Sequence, residues 1–374
     1  MNFELTEEQQ LVSESIERFI KSNYDLESRI SLTKKTPGFS LDHWKTMSEL
    51  GWLGMPFSEN DGGFGGNQID TMIMMEQFGK GLVLEPFLAS IILGGGALKR
   101  SANDAQKKIW LNSVIDGSKQ LALAYAEPNS GFEPHNVAVA GAKTAQGYTI
   151  TGTKCMVMHG KTADAFIVSF RTGGGVIDKI GISLAIIPAD RDGLTVQGFP
   201  TVDGLQSSEL TFDKVKVSSD DVLGILDEGF SCLNDTINDG ILAVAAEAVG
   251  AMEVLYKDTV AYTQERQQFD HPLSDFQVLQ HRMVEMFMEY EQCKSLLFRA
   301  TMEVAASSND AQRCVHALKH LIGKAAFFVG ESAVQTHGGM GVTEELRIGH
   351  YFKRLLVIEA LFGNTDYHLD QFSS

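Results

Sequence analysis

The sequence predicts a multi-domain α+β protein, with an N-terminal helical domain, a central β-barrel or sandwich and a C-terminal bundle of long helices. Three observations support this order. Helix caps and helical periodicity occupy residues 1–118, short strand-like runs occupy 119–228, and apolar helical segments of about 30 residues occupy 229–374. At 374 residues the chain is long enough for two or three domains.

The N-terminal segment carries helix-capping residues and one glycine-rich interruption. Thr6 with Gln9 predicts a capping box, and Ser40 and Asn103 predict later N-caps. The run 62–66, Gly-Gly-Phe-Gly-Gly, predicts a loop, because so many glycines interrupt both helix and strand. That loop is either a plain helix connection or part of a cavity wall, and the residues leave both interpretations open.

The central segment changes to strand periodicity at Leu121. Its short runs are rich in β-branched and aromatic residues and are bounded by Gly, Asp, Asn or Pro. Strands are predicted at 121–126, 148–153, 165–170, 182–188 and 194–199. Gly147 and Gly152 predict one hairpin, and 209–212 with 215–217 predicts another. A small barrel or sandwich follows from this pattern.

The C-terminal segment predicts long helices with a single acid in an apolar stretch. The helices are predicted over 230–264, 274–304, 309–337 and 343–372. From Gly240 to Met252 every residue except Glu247 is small or apolar. Burial disfavours the charged form of a carboxylate that has no partner, and such a group suits proton abstraction. Glu247 is therefore one candidate for a catalytic base.

Composition excludes several classes of function. The formal net charge of −17 argues against nucleic acid and anionic membranes as partners. No apolar run is long enough for a membrane span, and the acidic start of the chain lacks the basic region of a secretion signal. The four distant cysteines predict reduced thiols in a cytoplasmic protein. We find no metal-ligand spacing, no P-loop, no dinucleotide Gly-x-Gly-x-x-Gly after a strand and no Gly-x-Ser-x-Gly.

Two segments have the residue types that bind phosphate groups. Gly338 and Gly339 allow a tight turn that exposes backbone amides before the next helix. Arg266 has the guanidinium that suits a pyrophosphate, and Phe269 offers a face for an adenine ring. The alternatives are a plain Schellman turn for the glycines, a surface arginine for Arg266, and a satisfied helix-end histidine for His337.

Several motifs, in this domain order, resemble those of the acyl-CoA dehydrogenase family over nearly the whole chain. They are the loop 62–66 after Pro56, Ala126-Glu127-Pro128, Gly152-Thr153-Lys154, Arg266-Gln267-Gln268-Phe269, Phe276-Gln277, Gln280-His281 and Gln335-Thr336-His337-Gly338-Gly339-Met340-Gly341. The arginine motif and the Gln335–Gly341 motif at this separation are highly specific. Tyr351–Arg354 and Leu361–Asn364 are similar to one branch, that of the pimeloyl-CoA dehydrogenase small subunit and the steroid side-chain acyl-CoA dehydrogenases.

The resemblance implies an FAD site shared between subunits, and hence a homodimer, a homotetramer or a heterotetramer with a second acyl-CoA dehydrogenase chain. The residues it implies for the pyrophosphate and adenine of a neighbour's FAD are Arg266, Gln268, Phe269, Gln277, Gln335, His337, Gly338 and Gly339. The loop Tyr125–Ser130 would border the isoalloxazine. The implied substrate is an acyl-CoA, and the implied electron acceptor is an electron-transfer flavoprotein.

The chain departs from the family pattern at the catalytic acid. The usual glutamate near the C-terminus falls on Phe362 or Gly363, depending on the alignment, and the alternative helix position falls on Gly240. Glu247 remains, at the position its branch would use, with Glu359 and then Asp239 as weaker candidates. Residues that usually contact flavin or the CoA arm are also replaced, by Ala126, Phe132, Met156 and Met158.

The resemblance implies FAD-dependent dehydrogenation of an acyl-CoA to the trans-2-enoyl-CoA. Glu247 would remove the α-proton while a hydride leaves the β-carbon for flavin N5. Preorganised donors must stabilise the enolate character that develops at the thioester oxygen. Two alternatives stay open: a weakly catalytic or non-catalytic subunit of a heteromeric enzyme, and a flavin oxidase or monooxygenase on the same fold.

Overall fold

The structure is a computed structural model that describes residues 5–374. Contacts divide these residues into two compact units. The bundle unit comprises residues 5–32, 67–83 and 241–374, and the sheet unit comprises 33–66 and 84–240. Residues 1–4, which belong to the acidic start of the chain, lie outside the described part.

The bundle unit consists of helices whose starts agree with the predicted caps. Its helices are α1 (Glu7–Asn23), α2 (Leu26–Thr33), α4 (Gln68–Gly81), most of α8 (Phe230–Glu265), α9 (Gln277–Ala305), α10 (Ala311–His337), α11 (Arg347–Ala360) and α12 (Thr365–Ser373). The capping box of Thr6 with Gln9 is confirmed, since each residue's side chain accepts from the other's backbone amide. Helix α10 packs against α9, α11 and α12.

The prediction of one helix over 343–372 is wrong, because two residues leave the helical conformation. Phe362 has φ of 61° and Gly363 has φ of 116°, so the chain breaks between α11 and α12. Asn364 then caps α12 by accepting from the Tyr367 amide. The break creates the loop 361–364, at the place where the resemblance puts the missing acid.

Two glycines bring α4 and α8 into backbone contact. A methyl carbon built on Gly79 would lie 2.0 Å from the Glu247 carbonyl oxygen, and one built on Gly250 would lie 2.0 Å from the Glu76 carbonyl oxygen. Both distances are far below van der Waals contact, so only glycine permits this approach. The crossing holds the turn of α8 that carries Glu247 against α4.

The sheet unit is built on a mixed eight-stranded sheet, and this confirms the central β-domain. The strands are β1 (Leu121–Ala124), β2 (Ala140–Thr144), β3 (Gly147–Met158), β4 (Ala165–Arg171), β5 (Ile182–Pro188), β6 (Leu194–Pro200), β7 (Gln206–Ser218) and β8 (Val222–Leu223). Their order is β6-β7-β3-β2-β4-β5-β8, with β1 paired parallel to β4. Alternate residues on these strands, such as Phe166, Phe170, Leu210 and Phe212, form the core.

Both predicted hairpins are wrong in detail. Gly152 lies inside β3 at a register shift against β7, and the hairpin instead joins β2 to β3 just before Gly147. The segments 209–212 and 215–217 are parts of one strand, β7, in which Lys214 has φ of 52°. A bulge bends a strand without ending it, so residues that punctuate the sequence do not always mark a turn.

Helical segments of the sheet unit precede and follow the glycine-rich loop in the sequence. They are α3 (Leu41–Glu49), a π-helical segment (Phe87–Gly95), α5 (Gly96–Ser101), α6 (Asp104–Gln106), a second π-helical segment (Lys107–Leu111) and α7 (Asn112–Ile115). The N-caps at Ser40 and Asn103 are confirmed. In the loop 62–66, a methyl carbon on Gly63 would lie 2.4 Å from the Phe57 carbonyl oxygen, so the loop folds tightly onto its own flank.

Two structural features of residues 5–374 bear on the class of protein. No helix there is long and apolar enough to cross a membrane. The same residues contain no group of His, Cys, Asp and Glu side chains arranged to hold a metal ion. All four cysteines are free thiols, with Cys293 and Cys314 buried.

The glycine crossing of α4 and α8 gives a first prediction. Gly250→Ala should destabilise the protein by about 1–3 kcal/mol or more, because the added methyl group meets backbone rather than a movable side chain. The thermal unfolding midpoint measures the loss. Gly173→Ala is the matched control, because its methyl carbon would meet nothing closer than 3.4 Å. Equal midpoints for the two variants would contradict the interpretation.

Candidate functional site

The two predicted phosphate-binding motifs meet at one end of the bundle unit. The Tyr262 ring, one turn before Arg266, stacks on the His337 ring with centroids 4.2 Å apart and planes at 27°. His337 is the last residue of α10 and directly precedes Gly338. Segments separated by about 70 positions in the sequence are therefore neighbours.

A short hairpin follows α8 and presents an aromatic ring to solvent. Gln267–Gln268 pairs with His271–Pro272, and Phe269 and Asp270 form the turn with φ of 56° and 65°. Positive φ at both central residues is the type I′ geometry of two-residue hairpins. The Phe269 side chain is 84% exposed, and its ring meets Phe276 edge-on with centroids 6.3 Å apart.

The polar groups around this hairpin are available to a ligand. Arg266, Gln268, Gln277 and Gln335 are exposed. Within residues 5–374 the Arg266 guanidinium has no ion-pair or hydrogen-bond partner. An exposed guanidinium beside an exposed aromatic ring suits a pyrophosphate joined to an adenine.

The turn after α10 is open on the outside. Gly338 has φ of 60° and ψ of −139°, which is glycine geometry, and methyl carbons built on Gly338 and Gly339 would meet nothing within 4 Å. The His337 side chain turns the other way: it is buried and its Nδ1 bonds the Ala333 carbonyl oxygen at 2.8 Å. Burial lowers the pKa of His337. The Gly338 amide donates to the Gln335 carbonyl oxygen. An anion at this turn therefore meets glycine backbone rather than a charged imidazole.

Glu247 lies in a buried ion pair with an arginine that sequence reasoning did not single out. Arg354 Nε donates to Glu247 Oε1 at 2.6 Å, and Arg354 Nη2 donates to Oε2 at 2.7 Å. The two side chains are 7% and 5% exposed. The expectation of an isolated carboxylate is therefore wrong, because α11 brings a matching bidentate donor. The signal in the sequence was a single arginine on the apolar face of α11.

The two weaker acid candidates also have partners. Glu359 Oε1 accepts from the Thr365 amide at 2.9 Å and from the Thr365 hydroxyl at 3.1 Å, which ties α11 to α12. Asp239, in the sheet unit, accepts from Arg100 Nη2 at 2.6 Å. Burial raises the pKa of Asp239, although the Arg100 charge opposes this.

Buried basic side chains hold the loop 361–364. The fully buried Lys319 ammonium donates to the carbonyl oxygens of Glu359 at 2.8 Å and Gly363 at 2.7 Å, and burial lowers the pKa of Lys319 to about 8. His368 Nε2 donates to the Phe362 carbonyl oxygen at 3.1 Å. With that donor assigned, neutral His368 accepts at Nδ1 from His316 Nδ1, 2.9 Å away.

The sheet unit holds the loop Tyr125–Ser130 by a second buried ammonium. Lys154 Nζ donates to Glu127 Oε1 at 2.7 Å and to the Tyr125 carbonyl oxygen at 3.0 Å. Burial lowers the pKa of Lys154 to about 8, and the Glu127 charge limits the fall. Of the substituted contact residues, Met156 and Phe132 are 49% and 41% exposed. Ala126 and Met158 are half-buried.

Comparison with known proteins matches all three parts of the chain to one family. The acyl-CoA dehydrogenase N-terminal domain matches residues 6–118, the middle domain 122–215 and the C-terminal domain 227–373. The chain therefore belongs to the acyl-CoA dehydrogenase family, a family of FAD-dependent oxidoreductases.

Individual relatives align with this chain over nearly their full length. The probable acyl-CoA dehydrogenase YngJ of Bacillus subtilis is 29% identical over 98% of this chain and 97% of its own. The short-chain specific acyl-CoA dehydrogenase of Clostridium acetobutylicum is 27% identical over 98% and 97%. Among solved structures, butyryl-CoA dehydrogenase from Megasphaera elsdenii gives a TM-score of 0.90 at 25% identity over 100% and 99%. PigA with FAD and proline gives 0.92 at 25% over 100% and 98%.

The ion pair gives a second prediction. Arg354→Met should destabilise the fold by about 3–5 kcal/mol, because it leaves a buried carboxylate without a partner. Arg354→Met/Glu247→Leu should recover most of that loss, since neither charge remains. Urea unfolding of the single and double variants measures the difference. Arg347→Met is the control. It removes the ion pair of Arg347 with Asp258, in which the arginine is 52% exposed, and should destabilise the fold by at most about 1 kcal/mol.

The histidines under the loop 361–364 give a third prediction. Burial, with the nearby Lys319 charge, lowers the pKa of His368 to about 3, and burial also lowers the pKa of His316. Below the ordinary histidine pKa of about 6.5 the unfolded chain binds more protons than the fold, so stability present above that pH is lost as the pH falls towards 3. The midpoint of thermal unfolding should therefore drop between about pH 7.5 and pH 5.

A pair of variants tests whether His368 causes this drop in the thermal midpoint. His368→Asn should show a smaller drop over that pH interval, whereas His281→Asn, which removes an exposed imidazole from α9, should match the parent protein. An unchanged drop in His368→Asn would show that other groups cause it.

Proposed function

We propose that this protein is an acyl-CoA dehydrogenase that binds FAD at the 262–277 and 335–339 segments and forms a trans-2-enoyl thioester. One observation carries the proposal: the Tyr262–His337 stack joins an unpartnered Arg266, an exposed Phe269 and the open Gly338–Gly339 turn at one end of the bundle unit. These groups match an adenine ring and a pyrophosphate. Their exposure supports a cofactor shared with a neighbouring subunit.

The cofactor contacts divide by chemical type. Arg266 supplies charge-assisted hydrogen bonds to the pyrophosphate, and Phe269 supplies a stacking surface for the adenine. The Gly338–Gly339 turn supplies glycine backbone that a ligand can approach closely. Gln268, Gln277 and Gln335 add neutral donors, while His337 acts through its backbone and its stack on Tyr262. The loop Tyr125–Ser130 would border the isoalloxazine. When bound, FAD supplies the acceptor for the hydride that leaves the β-carbon.

Glu247 is the proposed base for the α-proton. A base must be ionised before reaction, and the bidentate Arg354 pair requires an ionised carboxylate. The contacts of Gly79 and Gly250 between α4 and α8 fix the backbone of this turn. Each carboxylate oxygen has a second lone pair beyond the one that Arg354 uses, and that lone pair receives the proton. Arg354 acts as a positioning residue in this scheme.

A second candidate function is a weakly catalytic or non-catalytic subunit. The observation that favours it is that both Glu247 oxygens already bind Arg354, while the loop 361–364 contains no acid. The fold of the ChsE4–ChsE5 complex from Mycobacterium tuberculosis, which contains two different chains, matches this one with a TM-score of 0.91. In this version the chain holds FAD and a second chain supplies the base.

The thioester and the electron acceptor are proposed from relatives. CarC, a subunit of the caffeyl-CoA reductase-Etf complex of Acetobacterium woodii, is 26% identical over 85% of this chain and 85% of its own. This similarity supports an electron-transfer flavoprotein as the acceptor. The L-prolyl-[peptidyl-carrier protein] dehydrogenase of a Serratia strain is 26% identical, so the carrier of the acyl group varies among relatives. The Tyr351–Arg354 and Leu361–Asn364 motifs favour dicarboxylyl or steroid side-chain acyl-CoA thioesters over simple fatty acyl ones.

Glu247→Gln gives the deciding measurement. The FAD-loaded variant should lose about 10²–10⁴-fold in turnover with an artificial electron acceptor, because the amide cannot take the proton. The flavin absorbance at about 450 nm should remain. Glu285→Gln, an exposed acid on α9, is the control and should keep normal turnover. Loss in Glu359→Gln or Asp239→Asn instead would move the base to that residue.

The same preparations test the second candidate. Parent protein that carries flavin but turns over no member of a panel of acyl-CoA thioesters, and gains turnover only with a second dehydrogenase chain, is the non-catalytic subunit. Normal turnover in Glu247→Gln with flavin bound would contradict Glu247 as the base.

A further inference from the structure

Lys154 is a lysine without solvent exposure in the strand β3. Its ammonium has three acceptors: Glu127 Oε1 at 2.7 Å, the Ser169 hydroxyl at 2.9 Å and the Tyr125 carbonyl oxygen at 3.0 Å. An ammonium has three N–H groups, so each one is satisfied. The acceptors come from the loop after β1 and from β4, so one side chain of β3 joins both.

The Glu127 carboxylate extends this connection. Its oxygens also accept from the backbone amides of Ala138 at 2.9 Å and Val139 at 3.1 Å. The Glu127 amide donates to the Ser130 hydroxyl at 3.1 Å, which closes the loop on itself. Both charges of the pair are therefore fully hydrogen-bonded, as buried ions must be.

A bulge in β3 lies next to Lys154 and serves the same loop. The pairing of β3 with β7 shifts register between Lys154 and Val157, and Met156 has φ of 52°. Within the bulge the Cys155 amide donates to the Ala126 carbonyl oxygen at 2.9 Å. Met156 is turned to the surface and is 49% exposed. The ammonium and the bulge thus fix two successive carbonyl groups of the loop, at Tyr125 and Ala126.

From this geometry we infer that Lys154 is the positioning residue for the flavin ring. The inference rests on the proposed function, which sets the isoalloxazine beside the loop Tyr125–Ser130. Lys154 and Glu127 hold the backbone dipoles of that loop and the bulged Met156 in one arrangement. Fixed dipoles beside a flavin set its reduction potential, and a loop that is already ordered binds the ring without a further entropy loss.

Three variants of the full-length protein separate this role from plain stabilisation. Lys154→Met removes the ammonium and leaves the buried Glu127 carboxylate without an opposite charge. Lys154→Met/Glu127→Gln removes both charges, so the fold no longer contains an unpaired ion. Lys143→Met removes an exposed lysine of the neighbouring strand β2 and is the control. For each variant the FAD dissociation constant, the flavin absorption spectrum, the flavin midpoint potential and the thermal midpoint without FAD are measured.

The expected result is a change in the flavin that persists when the fold is restored. The double variant should regain most of the thermal midpoint lost in Lys154→Met. It should still bind FAD about tenfold more weakly, because the loop is no longer ordered before the ring binds. Its absorption spectrum should be closer to that of free FAD, and its midpoint potential should shift. Lys143→Met should match the parent protein in all four measurements.

Other results overturn the inference in distinguishable ways. If the double variant recovers its thermal midpoint and its flavin properties equal those of the parent, Lys154 is only structural. If Lys154→Met does not fold, the double variant alone decides. If the parent protein itself binds no FAD, the proposed function fails and this inference fails with it.

Discussion

Glu247 and Arg354 form a buried ion pair in the apolar core of the bundle unit, and the packing of the surrounding helices holds the two side chains together. The Glu247–Arg354 pair joins α8 to α11, with both side chains at most 7% exposed. A buried ion pair is stable only with good geometry and no unpaired member. The bidentate contact provides the geometry, and the glycine crossing at Gly79 and Gly250 fixes the backbone of α8 on the other side. The pair thus fixes the central part of α8 against α11.

Each unit also uses a buried lysine to hold an irregular loop. Lys319 donates to carbonyl oxygens around the loop 361–364, and Lys154 donates to the loop Tyr125–Ser130. An ammonium has three donors and a compact charge, so it can join carbonyl groups that have no strand or helix partner. Loops held in this way cost less to order when a ligand binds. One of these two loops, Tyr125–Ser130, is the loop that the proposed function sets beside the flavin ring.

The absence of an acid from the loop 361–364 has a structural counterpart. Phe362 is 7% exposed and has φ of 61°, and the carbonyl oxygens of Phe362 and Gly363 both accept from buried basic side chains. The segment is therefore a rigid connection between α11 and α12. Glu247, a buried carboxylate of the bundle unit, lies more than a hundred positions earlier in the chain.

The amino-acid sequence by itself determined the order of helical, strand and long-helix segments, because periodicity and caps are local properties. The caps at Thr6, Ser40 and Asn103 were read correctly for that reason. The helix predicted over 274–304 is present, but it begins at Gln277. The motifs around Arg266 and Gly338 also pointed to one family. Hairpins were read less well, since Gly152 and Lys214 bend strands that pairing partners keep continuous.

Only the tertiary structure decided which charges have partners. Nothing in the run around Glu247 indicates that Arg354 will reach it, because a salt bridge between distant helices depends on their packing. The same holds for Lys154 with Glu127, for Lys319 under the loop 361–364 and for the Tyr262–His337 stack. The sequence identifies the groups that are able to react. The fold sets the distances between them and their desolvation, and these control their protonation and reactivity.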